Sequence, residues 1–191
     1  AKANENRDYR IYESFAAVLV TQVQKFSSDL LPLDLSIDAP VYAIDATVID
    51  LCLNIFWWGK FRKHKAAAKV HVMLEVKTNI PTFIYVSSGS VHEVNFLDLI
   101  RFEAGSYYVM DKAYIDFRRL FLLNQSLAFF VVRAKENFRF VRIKSSLVDK
   151  NSGVRCDQTI RLKNKKVLSS YPDHLRRIKY YDSEIKMEFV F

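Results

Sequence analysis

The sequence contains few residues that break regular secondary structure, with 4 glycines and 4 prolines among its 191 residues. This scarcity excludes a collagen-like or loop-rich protein. Cys52 and Cys156 are the only cysteines, too few for a disulfide framework and too far apart for a metal-ligand pair. They favour a reducing compartment, and so a cytoplasmic protein. The 4 histidines are scattered, so no zinc site is predicted.

Long apolar runs and nucleotide-binding loops are missing as well. No apolar run reaches the roughly 18 residues of a membrane span, and no amphipathic helix has a basic face, so no membrane partner is predicted. The start, AKANENRDYR, lacks an initiator methionine and a signal-peptide pattern, so we expect it to be an internal position of a longer protein. Neither GxxxxGK[ST] nor GxGxxG occurs, and no nucleotide cofactor is predicted.

The charge that is present is strongly uneven. The chain carries a net charge of +8, yet residues 133–179 contain 14 Lys and Arg against 4 Asp and Glu. A local basic excess of this size favours a polyanionic partner such as nucleic acid. A generic basic protein that is kept soluble by its charge is the alternative.

Hydrophobic periodicity predicts an α/β protein. The expected order is a helix, a linker, a strand, a β-hairpin, a helix, a strand, a helix and a strand, at 9–26, 27–40, 41–53, 70–89, 94–102, 106–114, 116–127 and 128–135. A mixed sheet with helices packed on it follows from that order. From Phe138 onward, short strand-like pieces predict an all-β segment. We therefore divide the chain into an N-terminal helix and linker (1–40), a core (41–137) and a β-rich segment (138–191).

Two of the predicted strands share a pattern of aliphatic residues followed by an aspartate. They read Ala43-Ile44-Asp45 and Val109-Met110-Asp111. A carboxylate within so apolar a run must be paired, hydrogen-bonded or metal-bound, because an isolated buried charge is very costly. If the strands are neighbours, both carboxylates reach one divalent cation, and such oxygen ligands suit Mg²⁺. The alternative is an aspartate that caps the following turn.

A second candidate is a basic stretch in which aromatic residues are interleaved. It contains Lys60, Arg62, Lys63, Lys65 and Lys69 beside Trp57, Trp58 and Phe61, with no acidic residue between Asp50 and Glu75. Phosphate contact with base stacking is one interpretation, and a solvated loop is an equally weighted one. In the strand that follows, alternation puts Val70, Val72 and Leu74 on one face and His71, Met73 and Glu75 on the other.

At VYAIDATVIDLCL, the sequence resembles the DDE transposases of bacterial insertion sequences. The resemblance extends along nearly the whole chain. It is carried by RDYRIYESFA, VYAIDATVIDLCL, FRKHKAAAKVH, NIPTFI, GSVHEVN, YVMDKAYIDF, AFFVVRAKEN, GVRCDQTI and YPDHLRRIKYYD.

The resemblance implies an RNase H-like core, at 41–137, that is interrupted by a β-rich insertion. It implies Asp45 and Asp111 as catalytic ligands of Mg²⁺ or Mn²⁺, and a reaction of donor-end cleavage followed by strand transfer into target DNA. The implied partners are transposon ends, target DNA and a second copy of the chain, and the implied location is the bacterial cytoplasm at the nucleoid. We also predict DNA contacts for Lys112, Arg133 and Lys135.

The sequence departs from the family pattern in its third acidic residue. The family carries a Glu in a Tyr-x-x-Arg-x-x-x-Glu helix after the insertion, and no such pattern occurs here. Lys112 stands where Arg is expected, and it lacks the bidentate guanidinium. We therefore expect a polypeptide that ends before the third acid and cleaves DNA poorly by itself. An inactive DNA-binding remnant and an RNase H-like nuclease remain open, and a basic α/β protein of other function is the least favoured alternative.

Overall fold

The computed structural model describes residues 8–26, 36–51, 60–62 and 65–191, and only the backbone of Lys60, Phe61, Arg62, Lys65 and Lys150. The α-helices are α1 (Arg10–Phe26), α2 (Phe117–Gln125) and α3 (Lys165–Ser170), and the 3-10 helices are η1 (Glu93–Leu99), η2 (Lys112–Tyr114) and η3 (Lys150–Ser152). The strands are β1 (Val41–Leu51), β2 (Lys60–Arg62), β3 (Lys65–Glu75), β4 (Ile80–Ser88), β5 (Tyr107–Met110), β6 (Phe129–Val132), β7 (Phe140–Ser146), β8 (Val154–Leu162), β9 (Leu175–Asp182) and β10 (Met187–Val190).

Six strands form one mixed sheet. Five of them follow the order β2, β3, β1, β5, β6, and the sixth, β4, also pairs with β3. β3 runs antiparallel to both β1 and β4, whereas β1, β5 and β6 run parallel. The turn of the predicted β3–β4 hairpin contains Asn79 at a φ of 56°, a left-handed conformation that Asn tolerates. The order confirms the predicted α/β class and its RNase H-like mixed sheet.

Helices cover one face of this sheet and build the core there. Phe96 and Leu97 of η1 and Leu120 and Leu123 of α2 are buried together. Three strand residues join them from the sheet, namely Ile44, Tyr108 and Met110. On the opposite face Val109, Phe129 and Val131 remain exposed. α1 lies beside β4, where the carboxylate of Glu13 accepts a 3.0 Å hydrogen bond from the backbone of Val86.

The C-terminal part forms a second, antiparallel sheet in the order β10, β9, β8, β7. This confirms the predicted all-β segment, although the short helix α3 was not predicted. The side chain of Asn164 caps α3 by accepting a 2.9 Å hydrogen bond from the backbone N–H of Lys166. Leu162 and Tyr171 pack into the core of the first sheet. The domain limits at 40/41 and 137/138 stay a prediction.

Two elements of the first part of the chain differ from what the sequence predicts. The helix predicted at 94–102 is the seven-residue 3-10 helix η1, and the strand predicted at 106–114 extends only from Tyr107 to Met110 because η2 begins at Lys112. Among the described residues, no helix is long and apolar enough to cross a membrane.

Candidate active site at the ends of the parallel strands

Two aspartates lie side by side where the pairing between β1 and β5 ends. Ile44 is the parallel partner of Met110, so Asp45 and Asp111 occupy the next position along each chain. Neighbouring strands are roughly 5 Å apart, which brings both carboxylates within reach of one small ligand. Both residues are exposed, whereas Ile44 and Met110 directly before them are buried.

A third charged residue, Arg133, continues this row. Met110 is also the parallel partner of Val132 on β6, and the backbone N–H of Arg133 donates a 3.4 Å hydrogen bond to the carbonyl of Met110. Asp45, Asp111 and Arg133 therefore occupy consecutive positions across three strands. The guanidinium of Arg133 lies 5.1 Å from the ring centre of Phe189, a cation–π contact that fixes its direction.

The turn-capping alternative for the two aspartates finds little support. Asp111 stands at the N-cap position of η2, yet its carboxylate makes no capping hydrogen bond. The carboxylate of Asp45 accepts one from the adjacent backbone N–H of Ala46 at 2.8 Å. Neither aspartate forms an ion pair within the described part of the chain. Most of their oxygen lone pairs are therefore available to a ligand.

The hydroxyl of Tyr114 is buried beneath the two aspartates. Tyr114 ends η2 and packs into the core, and its hydroxyl has no hydrogen-bond partner among the described residues. Burial raises the pKa of Tyr114 well above its ordinary value, and the negative charges of Asp45, Glu93 and Asp111 raise it further. Tyr114 therefore stays protonated and neutral at ordinary pH.

A buried polar network lies on the covered face of β3. The ammonium of Lys69 donates to the carboxylate of Glu93 and to the carbonyl of Val91, both at 2.7 Å. His71, two residues further on β3, is fully buried, and its Nε2 lies 3.0 Å from the hydroxyl of Ser87. Burial and the charge of Lys69 lower the pKa of His71. The network ties β3 to the start of η1, which in turn packs on η2.

Comparison with known families shows to which family the chain belongs. The family model described as a transposase DDE domain matches residues 37–185. The chain belongs to this family of transposase DDE domains. The match includes both aspartates, strands β1 to β9 and the helices between them. Comparison with curated proteins gives no match.

The side chains at the aspartate pair fit a divalent cation of the Mg²⁺ type. This ion takes oxygen ligands and is commonly held by one or two carboxylates together with substrate phosphate oxygens. Asp45 and Asp111 supply such carboxylates, exposed and without ion pairs in the described chain. Among the residues that the structure describes, no cluster of three or more His, Cys, Asp or Glu side chains is arranged to hold a metal.

The predicted DNA contacts of this DDE domain fall into three groups. Lys112, Arg133 and Lys135 are exposed near the aspartate pair. The side chains of Lys60, Arg62, Lys63 and Lys65, like Trp57, Trp58 and Phe61, lie outside the described residues or side chains. Lys69 is only 6% exposed and its ammonium pairs with the carboxylate of Glu93. A phosphate contact would require this buried ion pair to break, and the predicted contact of Lys69 stays a prediction.

Sequence reasoning missed Tyr114, Glu93 and His71 as parts of the site's surroundings. The available signal was weak, since none of the three stands in a spacing that marks a site. The contact between η1 and η2, which brings Glu93 and Tyr114 into one region, is seen only in the structure. The alternation in β3 gave no warning, because it placed His71 on a face with Met73 and Glu75 without indicating which of the two faces is buried.

Proposed function

We propose that this chain is the DNA-acting core of a DDE transposase in which Asp45 and Asp111 hold a catalytic divalent cation, Mg²⁺ or Mn²⁺. The observation that carries the proposal is the parallel register of Ile44 with Met110. It sets two exposed carboxylates on adjacent strands, with no cation of the described chain paired to either of them. The family membership supports the same assignment.

The proposed reaction is cleavage at the ends of transposon DNA followed by strand transfer into target DNA. A divalent cation, when bound, activates the attacking water or 3′-hydroxyl and stabilises the leaving oxygen. The chain's own residues bind and orient the DNA around that chemistry. Asp45 and Asp111 hold the centre, and Lys112, Arg133 and Lys135 offset the negative charge of the DNA backbone beside it.

The proposed partners follow from that reaction. They are the two ends of an insertion sequence and a target duplex, and a homodimer would hold the paired ends. The proposed location is the bacterial cytoplasm, at the nucleoid. The local basic excess at 133–179 supports a nucleic-acid partner.

We further propose that this chain by itself binds DNA more effectively than it cleaves it. Among the described residues the site has two carboxylates and no third one arranged beside them. Two ligands hold Mg²⁺ loosely, because the remaining positions must be filled by water and phosphate. The chain alone would then behave as a competitor for transposon ends.

Calorimetric titration with Mn²⁺ tests the metal site. We expect Asp45→Asn and Asp111→Asn each to lower the Mn²⁺ affinity at least tenfold, since each removes one of two charged ligands. Asp50→Asn is the matched control, because Asp50 is an exposed aspartate of the same strand outside the β1–β5 pairing. Equal affinity in all four proteins would overturn the assignment.

A strand-transfer assay separates the transposase from an RNase H-like nuclease. The substrate is a labelled donor duplex with a free 3′-hydroxyl, mixed with an unlabelled target. A transposase joins the label to the target, and we expect low but measurable joining that Asp111→Asn abolishes. A nuclease yields shorter labelled fragments and no joined product.

A further inference from the structure

The second sheet has two faces of very different character. On one face Ile160 and Leu162 are buried at 1% and 2% exposure, and Phe140 and Leu175 pair with them across the strands. This face packs towards the core. Because side chains alternate along a strand, the residues between them point to the opposite face.

The opposite face is lined by exposed cations. The pairing of β7 with β8 sets Arg161 opposite Val141 and Lys144 opposite Thr159. The backbone N–H of Lys163 donates to the carbonyl of Arg139 at 3.3 Å, which makes these two residues opposite as well. We call Arg139, Lys144, Arg161 and Lys163 the basic face, and all four are exposed.

The charges of the basic face are not compensated within the described chain. None of the four residues forms an ion pair there. Arg176 on the same face differs, because Asp157 holds its guanidinium at 2.7 Å. Like charges directly opposite each other destabilise a strand pair, as Arg139 and Lys163 do here. An anionic partner would offset that repulsion, so the arrangement suits binding better than folding.

We propose that the basic face binds the phosphate backbone of duplex DNA, as a contact separate from the aspartate pair. Long cationic side chains on a flat sheet reach phosphates, which contribute affinity and register without reading bases. The residues between the cations, Val141 and Thr159, offer no aromatic ring on which unpaired bases could stack. Tyr180 and Phe189 continue this sheet face only beyond the ion pair of Arg176 with Asp157, so the four cations themselves suit a duplex better than a single strand. This inference rests on the proposed function of the chain as a DNA-acting protein.

Duplex binding measured by fluorescence anisotropy in EDTA tests the inference without any metal. The test variant is Arg161→Gln/Lys163→Gln, and each lost phosphate contact lowers the salt slope of log K by roughly 0.9. Loss of two contacts changes the slope by roughly 1.8. If the test variant and the wild type bind equally at 1 M salt, the variant then binds about 60-fold more weakly at 0.1 M salt. The matched control, Arg142→Gln/Lys186→Gln, removes the same charge from β7 and from the turn between β9 and β10, outside the basic face, and we expect a smaller change.

Three results would overturn the inference. They are a wild-type salt slope in the test variant, equal effects of the test and control variants, and single-stranded DNA bound as tightly as the duplex. Thermal melting checks folding, and we expect the test variant to be at least as stable as the wild type because the repulsion between Arg139 and Lys163 is removed. The Mn²⁺ titration of Asp45 and Asp111 is independent, so either proposal can fail while the other stands.

Discussion

The buried ion pair between Lys69 and Glu93 allows a quantitative prediction. Replacing Lys69 by Met keeps the apolar stem of the side chain and removes the ammonium. It leaves the carboxylate of Glu93 and the carbonyl of Val91 without the donor that lies 2.7 Å from each. The variant therefore isolates the electrostatic and hydrogen-bonding contribution of Lys69 from its packing.

The exposure of the two partners sets the magnitude. Removing one partner of a fully buried pair costs about 3–5 kcal/mol, whereas an exposed pair contributes about 0–1 kcal/mol. The side chains are 6% and 30% exposed for Lys69 and Glu93, so water can partly solvate the carboxylate that is left behind. We expect Lys69→Met to lose about 2–3 kcal/mol of unfolding free energy. At about 2–4 °C per kcal/mol for a chain of this size, Tm should fall by roughly 5–10 °C.

Replacing Glu93 by Met should lower the unfolding free energy further than Lys69→Met does, because Lys69 is the more buried of the two partners. Glu93→Met leaves the ammonium with the Val91 carbonyl alone. The double variant, Lys69→Met/Glu93→Met, leaves no uncompensated charge and should be more stable than either single variant. Urea unfolding of the four proteins closes a double-mutant cycle, and a coupling energy of about 2 kcal/mol is expected for a pair in contact.

The pH dependence of the cycle gives a second check. Burial alone would raise the pKa of Glu93, but the hydrogen bond and the charge of Lys69 hold it below its ordinary value. A carboxylate with a depressed pKa contributes stability above its unfolded-state pKa, and this is lost as the pH falls through the folded-state value. The difference between wild type and Lys69→Met should therefore narrow below a pH of about 4.5.

One result would refute this reasoning. The result has two parts: the unfolding free energy of Lys69→Met is within about 1 kcal/mol of the wild-type value, as for an exposed pair, and the variant binds duplex DNA more weakly. Lys69 would then contact phosphate and would not be a structural residue.

Two further predictions concern the polar groups behind the aspartates. Tyr114→Phe removes a buried hydroxyl without a partner in the described chain, so thermal melts should show equal or higher stability. By contrast, Tyr108→Phe should lose about 1–2 kcal/mol of unfolding free energy, because the hydroxyl of Tyr108 accepts a 3.0 Å hydrogen bond from the backbone N–H of Glu103. Since the pKa of His71 is lowered from 6.5, the unfolded state binds the proton first. The unfolding free energy, measured by urea titration, should therefore decrease as the pH falls below 6.5, by up to about 1.4 kcal/mol per pH unit. His71→Gln should flatten this pH dependence, and His92→Gln should not.

The strand positions could be predicted from the sequence because their patterns are local. Aliphatic runs bounded by turn residues placed β1, β5 and β6, and the order of elements then favoured a mixed sheet. The pairing of Asp45 with Asp111 needed more, since a strand pattern does not specify its neighbour. The resemblance to DDE transposases brought the two together, and the register of Ile44 with Met110 agrees with it.

Lys69 shows why the faces of β3 could not be assigned from alternation. The pattern gave one aliphatic face, with Val70 and Val72, and one polar face with His71. In the structure, the polar face is the more deeply buried one, because η1 covers it and stacks Phe96 on His71 with ring centres 5.1 Å apart. Both faces of a sheet with helices on it can be covered. A strand with a single aliphatic face therefore does not reveal which charges are exposed.

The physical argument for Asp45 and Asp111 also changes once the structure is known. The sequence suggested carboxylates buried in apolar strands, which would require a partner because burial is costly. Both are in fact exposed, and the charges that burial forces to pair are those of Lys69 and Glu93. What distinguishes the aspartates is adjacency: two like charges on neighbouring parallel strands repel, and no cation of the described chain is paired with either of them. A divalent cation would remove that repulsion, so the case for a metal site rests on register and not on burial.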